Sequence, residues 1–275
     1  MTKPGVGLRP TLEREKLYHL VLELRKEGLS YNQIIRRIQA DHGVALRKSH
    51  LSDWISGKHK PFGYVRALND TPSPELGYVI GVKMGDASMS VSNYNYKIKL
   101  RVTDKEFAEE FSRCLSVILG RSPPRVKWQE KTRSWQTEAS SMLLYNFLRQ
   151  DLNGLTPTIE HCRSCKSAFL RGFFDSEGSV SDGSLTVSNG DIDKLYLVSK
   201  LLFSMQVENT GPHLARKGGG FALIKGKFYR RNKDMHYLYV RIGSWLQFQK
   251  EVGFTIIRKK QGLADRLSNR ASTQP

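Results

Sequence analysis

A short pattern occurs twice in this chain, and it restricts the fold more than any other feature. Residues 79–87 read VIGVKMGDA and residues 170–178 read LRGFFDSEG, so that a glycine, a small residue four positions later and a carboxylate recur in order. Glycine inside a helix costs about 1 kcal/mol relative to alanine, so its repetition indicates a structural requirement. Residues i and i+4 share one helix face. Gly81 with Gly85, and Gly172 with Ser176, therefore predict two flat faces that pack closely.

Such a contact would bring two carboxylates, Asp86 and Glu177, together at the helix ends. A carboxylate at a helix C-terminus meets the negative end of the helix dipole, and two carboxylates repel each other. A divalent cation would offset both effects. Hard cations such as Mg²⁺ bind one or two carboxylates together with water and phosphate oxygens. A site of this kind can activate water for phosphodiester hydrolysis.

The charge of the chain indicates a polyanionic partner. Lys and Arg number 44 against 26 Asp and Glu, which gives a formal net charge of +18. Because basic side chains that neutralise phosphates supply most non-specific affinity for nucleic acid, double-stranded DNA is the favoured partner. An anionic membrane surface is the alternative, but no stretch approaches about 20 apolar residues, as a membrane span requires. Residues 1–10 lack the apolar core of a signal peptide. We therefore expect an intracellular protein, cytoplasmic or nucleoid-associated.

The three cysteines fit a reducing compartment and give no disulfide framework. Cys162 and Cys165 form a C-x-x-C preceded by His161, but a second Cys/His pair at zinc spacing is missing. We interpret the two cysteines as small residues at the start of a helix and assign no metal to them.

A turn-rich linker, NDTPSP at residues 69–74, predicts two domains. Residues 1–70 are expected to form a small all-α helix-turn-helix module, with helices at about 12–27, 30–43 and 47–56. The third would be the recognition helix and would present Arg47, Lys48 and His50 to DNA. The alternative is a three-helix packing module that contacts no DNA.

Residues 71–275 are expected to form the core, with halves at about 71–160 and 161–275. In each half a helix is followed by paired strands, a helix and further strands. This alternation predicts an α+β fold with one antiparallel sheet per half. Residues 221–230 are expected to form a single strand of the second sheet.

Candidate DNA contacts come from strand faces on which basic or polar residues alternate with apolar ones. Such side chains read base edges in the major groove, and Asp and Glu are nearly absent from these faces. An ordinary solvated sheet face is the alternative. The candidates are Asn95, Lys97, Lys99, Arg101, Arg125, Lys127, Gln129, Lys225, Lys227, Tyr229, Arg231, Tyr237, Tyr239 and Arg241.

The repeated pattern resembles the motifs of the LAGLIDADG homing endonuclease family. FLRGFFDSEGS, residues 169–179, is close to the family pattern. YVIGVKMGDAS, residues 78–88, departs from it, with Lys83 at an apolar position and Ala87 in place of the final glycine. Both copies keep the acidic residue of the metal-binding position. Their separation, 177 − 86 = 91 residues, is similar to that of single-chain members with two motifs, and the resemblance covers about residues 73–270.

The resemblance implies a pseudo-twofold pair of αββαββα halves whose two antiparallel saddle-shaped sheets straddle DNA. It implies a monomer that cuts both strands of a long target site across the minor groove. It also implies a role in intron or intein mobility. It further implies a Mg²⁺ cofactor, with Mn²⁺ as a substitute. The metal ligands would be Asp86 and Glu177, with the adjoining Ala87 and Gly178.

Looser matches to the family suggest supporting catalytic residues around the metal. These are Asp104, Asn189, Arg258 and Lys259; the alternative for each is an ordinary loop or helix-start residue. The competing function on the same scaffold is a non-cutting DNA-binding regulator, or an RNA maturase that assists intron splicing. Such relatives often lose the carboxylates, so the retention of both favours cleavage.

Overall fold

The computed structural model describes residues 11–58, 68–92, 95–181, 183–224, 226–230 and 232–271. Two compact units make up this part of the chain, one at the N-terminus and one that starts near residue 68. Among the described residues, no helix is both long enough and apolar enough to span a membrane.

The N-terminal unit consists of three helices around its own apolar core. The start of the second helix follows the sequence prediction, because Ser30 and Gln33 form a reciprocal capping box there. That helix ends at Gly43, which adopts a left-handed conformation with φ of 65°. The helices are α1 (Thr11–Lys26), α2 (Tyr31–His42) and α3 (Lys48–Ile55).

The first half of the core starts with a helix capped by the Ser73 side chain, with Pro74 in its first turn. A helix that the sequence did not predict, α7, ends this half. Its sequence contains Gly154 and Pro157, which are typical of turns, but Asp151 caps its start by accepting a hydrogen bond from the Gly154 amide at 2.8 Å. The elements are α4 (Pro74–Met84), β1 (Ser88–Ser92), β2 (Asn95–Val102), α5 (Lys105–Leu119), β3 (Lys127–Gln129), β4 (Ser134–Ser140), α6 (Met142–Leu148) and α7 (Leu152–Glu160).

The second half repeats this order with one insertion between its third and fourth sheet strands. The elements are α8 (Arg163–Glu177), β5 (Gly178–Ser181), β6 (Ser184–Asn189), α9 (Ile192–Ser204), β7 (Asn209–Arg216), β8 (Phe221–Ile224), β9 (Lys227–Arg230), β10 (Met235–Val240), α10 (Trp245–Glu251) and α11 (Ile257–Ala271).

The two large sheets have equivalent strand orders, β1-β2-β4-β3 and β5-β6-β10-β7. Every pairing recorded between their strands is antiparallel. The α+β prediction with one antiparallel sheet per half is therefore confirmed.

The prediction of one strand over residues 221–230 is wrong. β8 and β9 are the two arms of a separate hairpin, in which Phe221 lies opposite Arg230 and Ile224 opposite Lys227. Gly226 has φ of 76°, a conformation that glycine adopts without strain, and the chain turns there. The strict alternation of residues seen in the sequence is therefore divided between two strands.

Helices α4 and α8 lie side by side at the centre of the second unit and belong to one apolar core. A Cβ atom on Gly77 would meet the carbonyl of Cys165, and one on Gly172 would lie 2.5 Å from the carbonyl of Tyr78. A Cβ atom on Gly81 would collide with the backbone of Phe169. The small residues therefore let the two helix backbones touch. Gly77 extends this face by one turn beyond the residues singled out in the sequence.

Candidate functional site

The close contact of α4 and α8 brings their C-terminal ends together. A Cβ atom on Gly85 would collide with the side chain of Ser176 and lie 3.1 Å from Cγ of Glu177. Asp86 follows in the turn after α4, two residues beyond the last helical residue, Met84, whereas Glu177 is the last residue of α8. Asp86 is exposed and Glu177 is half-buried. The structure thus places both carboxyl-bearing residues at one end of the helix pair.

The surroundings of both carboxyl groups raise their pKa values. Burial raises the pKa of Glu177, and the charge of Asp86 raises it further. Neighbouring protein atoms also displace water from the Asp86 carboxylate and raise its pKa, although the residue as a whole stays exposed. Two mutually repelling, partly desolvated carboxylates form a set of hard oxygen donors, which suits a divalent cation.

One predicted auxiliary residue contacts Glu177 directly. Asn189, at the end of β6, donates a hydrogen bond from Nδ2 to Oε1 of Glu177 at 3.1 Å. Its own Oδ1 accepts the amide hydrogen of Asp191 at 2.9 Å, and the residue is buried. Asn189 is therefore fixed on both sides and holds Glu177 in one orientation.

Two lysines satisfy carbonyl groups at the ends of the central helices. Lys259 in α11 is buried and donates from Nζ to the carbonyls of Phe174 at 3.0 Å and Asp175 at 2.6 Å. Burial lowers its pKa to about 8. Lys194 in α9 donates to the carbonyl of Met84 at 2.9 Å. Each central helix thus has an ammonium group at its negative end, and the charges of both lysines lower the pKa of Glu177, against the larger effect of burial.

Sequence reasoning missed Lys194. It lies only five residues after Asn189, but nothing in its spacing relates it to Met84 in the other half. The structure also shows the surroundings of Lys83, which occupies an apolar position of the motif. Lys83 is half-buried, and burial together with the charge of Lys194 lowers its pKa.

Asp104 and Arg258 are paired with each other. Nε and Nη2 of Arg258 donate to the two oxygens of Asp104 at 2.7 and 3.0 Å. Burial raises the pKa of Asp104, but its bonds to Arg258 outweigh burial and hold the pKa below its ordinary value. Asp86 and Lys259 line the same small cleft as this pair. Four of the six predicted catalytic residues thus line this cleft, and the other two, Glu177 and Asn189, are bonded to each other at the end of α8.

Asp175 has a structural environment. It is 1% exposed, and it accepts hydrogen bonds from the Tyr78 hydroxyl at 2.9 Å and the Thr255 amide at 2.9 Å. Tyr78 belongs to α4, so Asp175 joins the two halves of the core. These donors engage both of its carboxylate oxygens.

The outer face of the first sheet carries a row of basic and polar side chains. Burial alternates along β2 as predicted, with Ile98 and Leu100 buried. The register places Arg101 beside Gln136 of β4, and Gln136 beside Lys127 of β3. The expectation that acidic residues are nearly absent from this face needs correction, because Lys97 forms an ion pair with Glu138 at 3.0 Å. Asn95 and Lys99 belong to the same strand and Gln129 to β3, whereas Arg125 precedes β3.

The second sheet has a different outer face. Tyr237 and Tyr239 of β10 lie opposite Ser188 and Thr186 of β6, so hydroxyl groups replace the basic row. Arg241 follows the end of β10 and lies 3.9 Å from Glu208.

The remaining predicted contacts lie in or beside the β8–β9 hairpin. Lys227 and Tyr229 belong to β9, and Tyr229 is exposed. Lys225 and Arg231 lie outside the described residues.

The candidate residues of the N-terminal unit lie at the start of α3. Arg47 is the N-cap of this helix, and Lys48 and His50 follow in its first turn. All three are exposed, and the His50 ring stacks on Trp54 with 6.5 Å between ring centroids. A basic surface at a helix N-terminus is therefore available for a phosphate backbone or a groove.

Comparison with known proteins assigns the family. Residues 164–253 match the model of the LAGLIDADG-like domain. The uncharacterized protein MJ0398 of Methanocaldococcus jannaschii is 34% identical over 265 residues, which cover 94% of this chain and 96% of that protein. This chain belongs to the LAGLIDADG family. A second protein of the same organism, the uncharacterized protein MJ0314, is 33% identical over 53% of this chain and 54% of its own length.

The fold of this LAGLIDADG protein is shared with a solved structure. The crystal structure of I-DmoI in complex with DNA and Ca matches 71% of this chain and 100% of that chain, with 16% identity and a TM-score of 0.50. At this level of identity the likeness concerns the fold.

Proposed function

We propose that this protein is a sequence-specific endonuclease that hydrolyses both strands of double-stranded DNA. The observation that carries the proposal is the meeting of Asp86 and Glu177 at one end of the α4–α8 pair, in a unit with two sheets of equivalent strand order. Membership of the LAGLIDADG family and a fold shared with I-DmoI, which was solved in complex with DNA and Ca, support it.

A divalent metal fits these residues. Asp86 and Glu177 would hold it, with the adjoining Ala87 and Gly178 at the edge of the site. Hard oxygen donors favour Mg²⁺, and Mn²⁺ would substitute for it. When bound, the metal would lower the pKa of a water molecule and stabilise the charge that develops on the phosphodiester oxygens.

The surrounding side chains hold the carboxylates in place. Asn189 fixes the orientation of Glu177, so that less conformational entropy is lost when the site binds its ligands. Lys259 binds carbonyl groups at the end of α8 and Lys194 binds one at the end of α4, and both would contribute positive charge beside a phosphate. The Asp104–Arg258 pair lines the cleft next to Asp86 and positions the rim of the site.

DNA would lie across the two sheets. The basic row of the first sheet would contact phosphates and the major groove, and the hydroxyl-bearing face of the second would contribute polar contacts. We propose that one copy of the chain recognises a long target site. The N-terminal helices form a helix-turn-helix module that contributes Arg47, Lys48 and His50, and the enzyme acts in intron or intein mobility.

The test is cleavage of a plasmid library with randomised target sites in Mg²⁺. The site is first identified by selecting library members that the wild-type protein binds; cleavage by Asp86→Asn and Glu177→Gln is then compared on it with that of the wild type. We expect both variants to lose metal-dependent linearisation while they keep their affinity for the site. The matched control is Asp70→Asn, which removes an exposed carboxylate outside the helix ends and should cut like the wild type.

The same experiment tests the competing function. A wild-type protein that binds its selected site tightly, yet leaves it intact in Mg²⁺ and in Mn²⁺, would be a DNA-binding regulator or an RNA maturase. That result would overturn the proposed endonuclease activity.

A further inference from the structure

A second group of metal-ligating side chains lies at the opposite end of α8. Cys165 precedes Glu177 by 177 − 165 = 12 residues, which corresponds to about 18 Å along a helix axis. The ligand atoms of His161, Cys162 and Cys165 all lie within 4.8 Å of one another. The proposed carboxylate site uses none of these side chains.

The fold brings the three ligand groups together where α7 ends and α8 begins. α7 ends at Glu160, His161 follows it, and Cys162 is the N-cap of α8. Sγ of Cys162 accepts the amide hydrogen of Cys165 at 3.3 Å, as a capping side chain does. The sulfur atoms of the two cysteines are 2.9 Å apart. The cap thus holds both sulfurs on one side of the first helical turn.

We infer that His161, Cys162 and Cys165 form a metal site for a thiophilic divalent cation of the zinc class. Two thiolates and an imidazole are the ligands that Zn²⁺ prefers, and the C-x-x-C spacing is common in zinc sites. Cys165 is buried, Cys162 is half-buried and His161 is exposed, so the group is open on its solvent side, where water would supply a fourth ligand.

The protonation of the two thiols is compatible with this use. Hydrogen bonds with Cys165, Ser164 and His161 lower the pKa of Cys162 to about 6, while burial raises that of Cys165 to about 12. Cysteines bind a metal as thiolates, so binding of the metal would displace the protons of both.

The site would fix the start of the helix that ends in Glu177. Gly77 of α4 contacts the backbone of Cys165 closely, so this first turn belongs to the α4–α8 contact. A cation shared by His161 and the two cysteines would join the end of α7 to that turn. It would stabilise the folded chain by binding it in preference to the unfolded chain.

The experiment is a titration of the reduced full-length chain with Co²⁺, which reports thiolate ligation by a ligand-to-metal charge-transfer absorption. The chain carries Asp86→Asn and Glu177→Gln, so that the helix-end carboxylates do not compete. We expect one Co²⁺ per chain with thiolate absorption, and its displacement by Zn²⁺. This result does not depend on whether the protein is an endonuclease.

Variants assign the ligands. Cys162→Ser keeps a good N-cap and should remove thiolate absorption, and His161→Asn, at an exposed position, should weaken Co²⁺ binding at least about 10-fold. Cys114→Ser, in the remaining cysteine, should bind Co²⁺ like its parent. Circular dichroism of each variant checks folding, and the His161 and Cys162 variants suffice if Cys165→Ser fails to fold. A reduced parent without thiolate absorption, or absorption that persists in Cys162→Ser, would overturn the metal site.

Discussion

At the scale of single residues, the two helix-end carboxylates have unequal surroundings. Glu177 is half-buried and receives a hydrogen bond from Asn189, whereas Asp86 is exposed in the turn after its helix. The second motif, which is closer to the family pattern, thus has the better-fixed carboxylate. Asp86 lies beside the cleft formed by Asp104, Arg258 and Lys259. The carboxylates of the two motifs therefore lie at one site but have different neighbouring side chains.

The Asp104–Arg258 pair gives a prediction about pH. Because the folded pKa of Asp104 is lowered, its pair stabilises the protein above the unfolded pKa of about 3.9 and loses this effect as pH falls through the folded value. A double-mutant cycle with Asp104→Asn and Arg258→Gln should give a coupling free energy of about 1 kcal/mol at pH 7, since Arg258 is largely exposed. Urea unfolding at about pH 3, below the unfolded pKa, should show a smaller coupling. A coupling of equal size at both pH values would contradict the assignment.

At the scale of elements, the contact of α4 with α8 is a contact of backbones. Parallel alignment follows from the pairs of neighbours, because Gly77 meets Cys165 at one end and Gly85 meets Ser176 at the other. Both helices therefore end together, which places both negative dipole ends at the carboxylates. Lys194 and Lys259 offset this by binding carbonyls of those ends.

Replacing Gly81 tests this contact. In Gly81→Ala the new methyl group would collide with the Phe169 backbone, which cannot move aside as a flexible side chain does. We expect the free energy of unfolding to fall by about 2–3 kcal/mol, measured by urea denaturation. Gly243→Ala is the matched control, because a Cβ atom there meets nothing within 4 Å, and it should change stability little. Equal stability of the two variants would mean that the helices are not packed backbone to backbone.

At the scale of the whole molecule, the chain has a net charge of +18, and its two sheets differ in the basic side chains that they present. The first sheet bears the basic row with Arg101, Gln136 and Lys127 in register, while Tyr237 and Tyr239 mark the second. Glu138 neutralises part of the basic row through Lys97. The first sheet should therefore dominate the salt dependence of DNA binding.

Two single changes on that sheet test this distribution. Arg101→Gln should weaken DNA binding and reduce the slope of log K against log salt by about 1, as the loss of one phosphate contact does. Glu138→Gln frees Lys97 and should strengthen binding at low salt. Fluorescence anisotropy with a labelled duplex over a range of salt concentrations measures both. An unchanged slope in Arg101→Gln would place the DNA away from this sheet face.

Several features followed from the sequence because they rest on local patterns. The glycines at i and i+4, the start of the second helix near residue 30, the alternation along β2 and the order of helices and strands each depend on residues close together in the chain. They were enough to predict the α+β class, the two equivalent halves and the two acidic residues. The repetition of the motif strengthened these predictions, since one copy supports the interpretation of the other.

Only the tertiary structure decided how distant segments meet. The bond from Lys194 to Met84 spans 110 residues and that from Lys259 to Asp175 spans 84, and no local pattern encodes such distances. The turn at Gly226 divided a regular alternation into a hairpin, and helix capping at Asp151 outweighed the glycine and proline of α7. Local preferences amount to about 1 kcal/mol per residue, so packing and long-range hydrogen bonds override them wherever the two disagree.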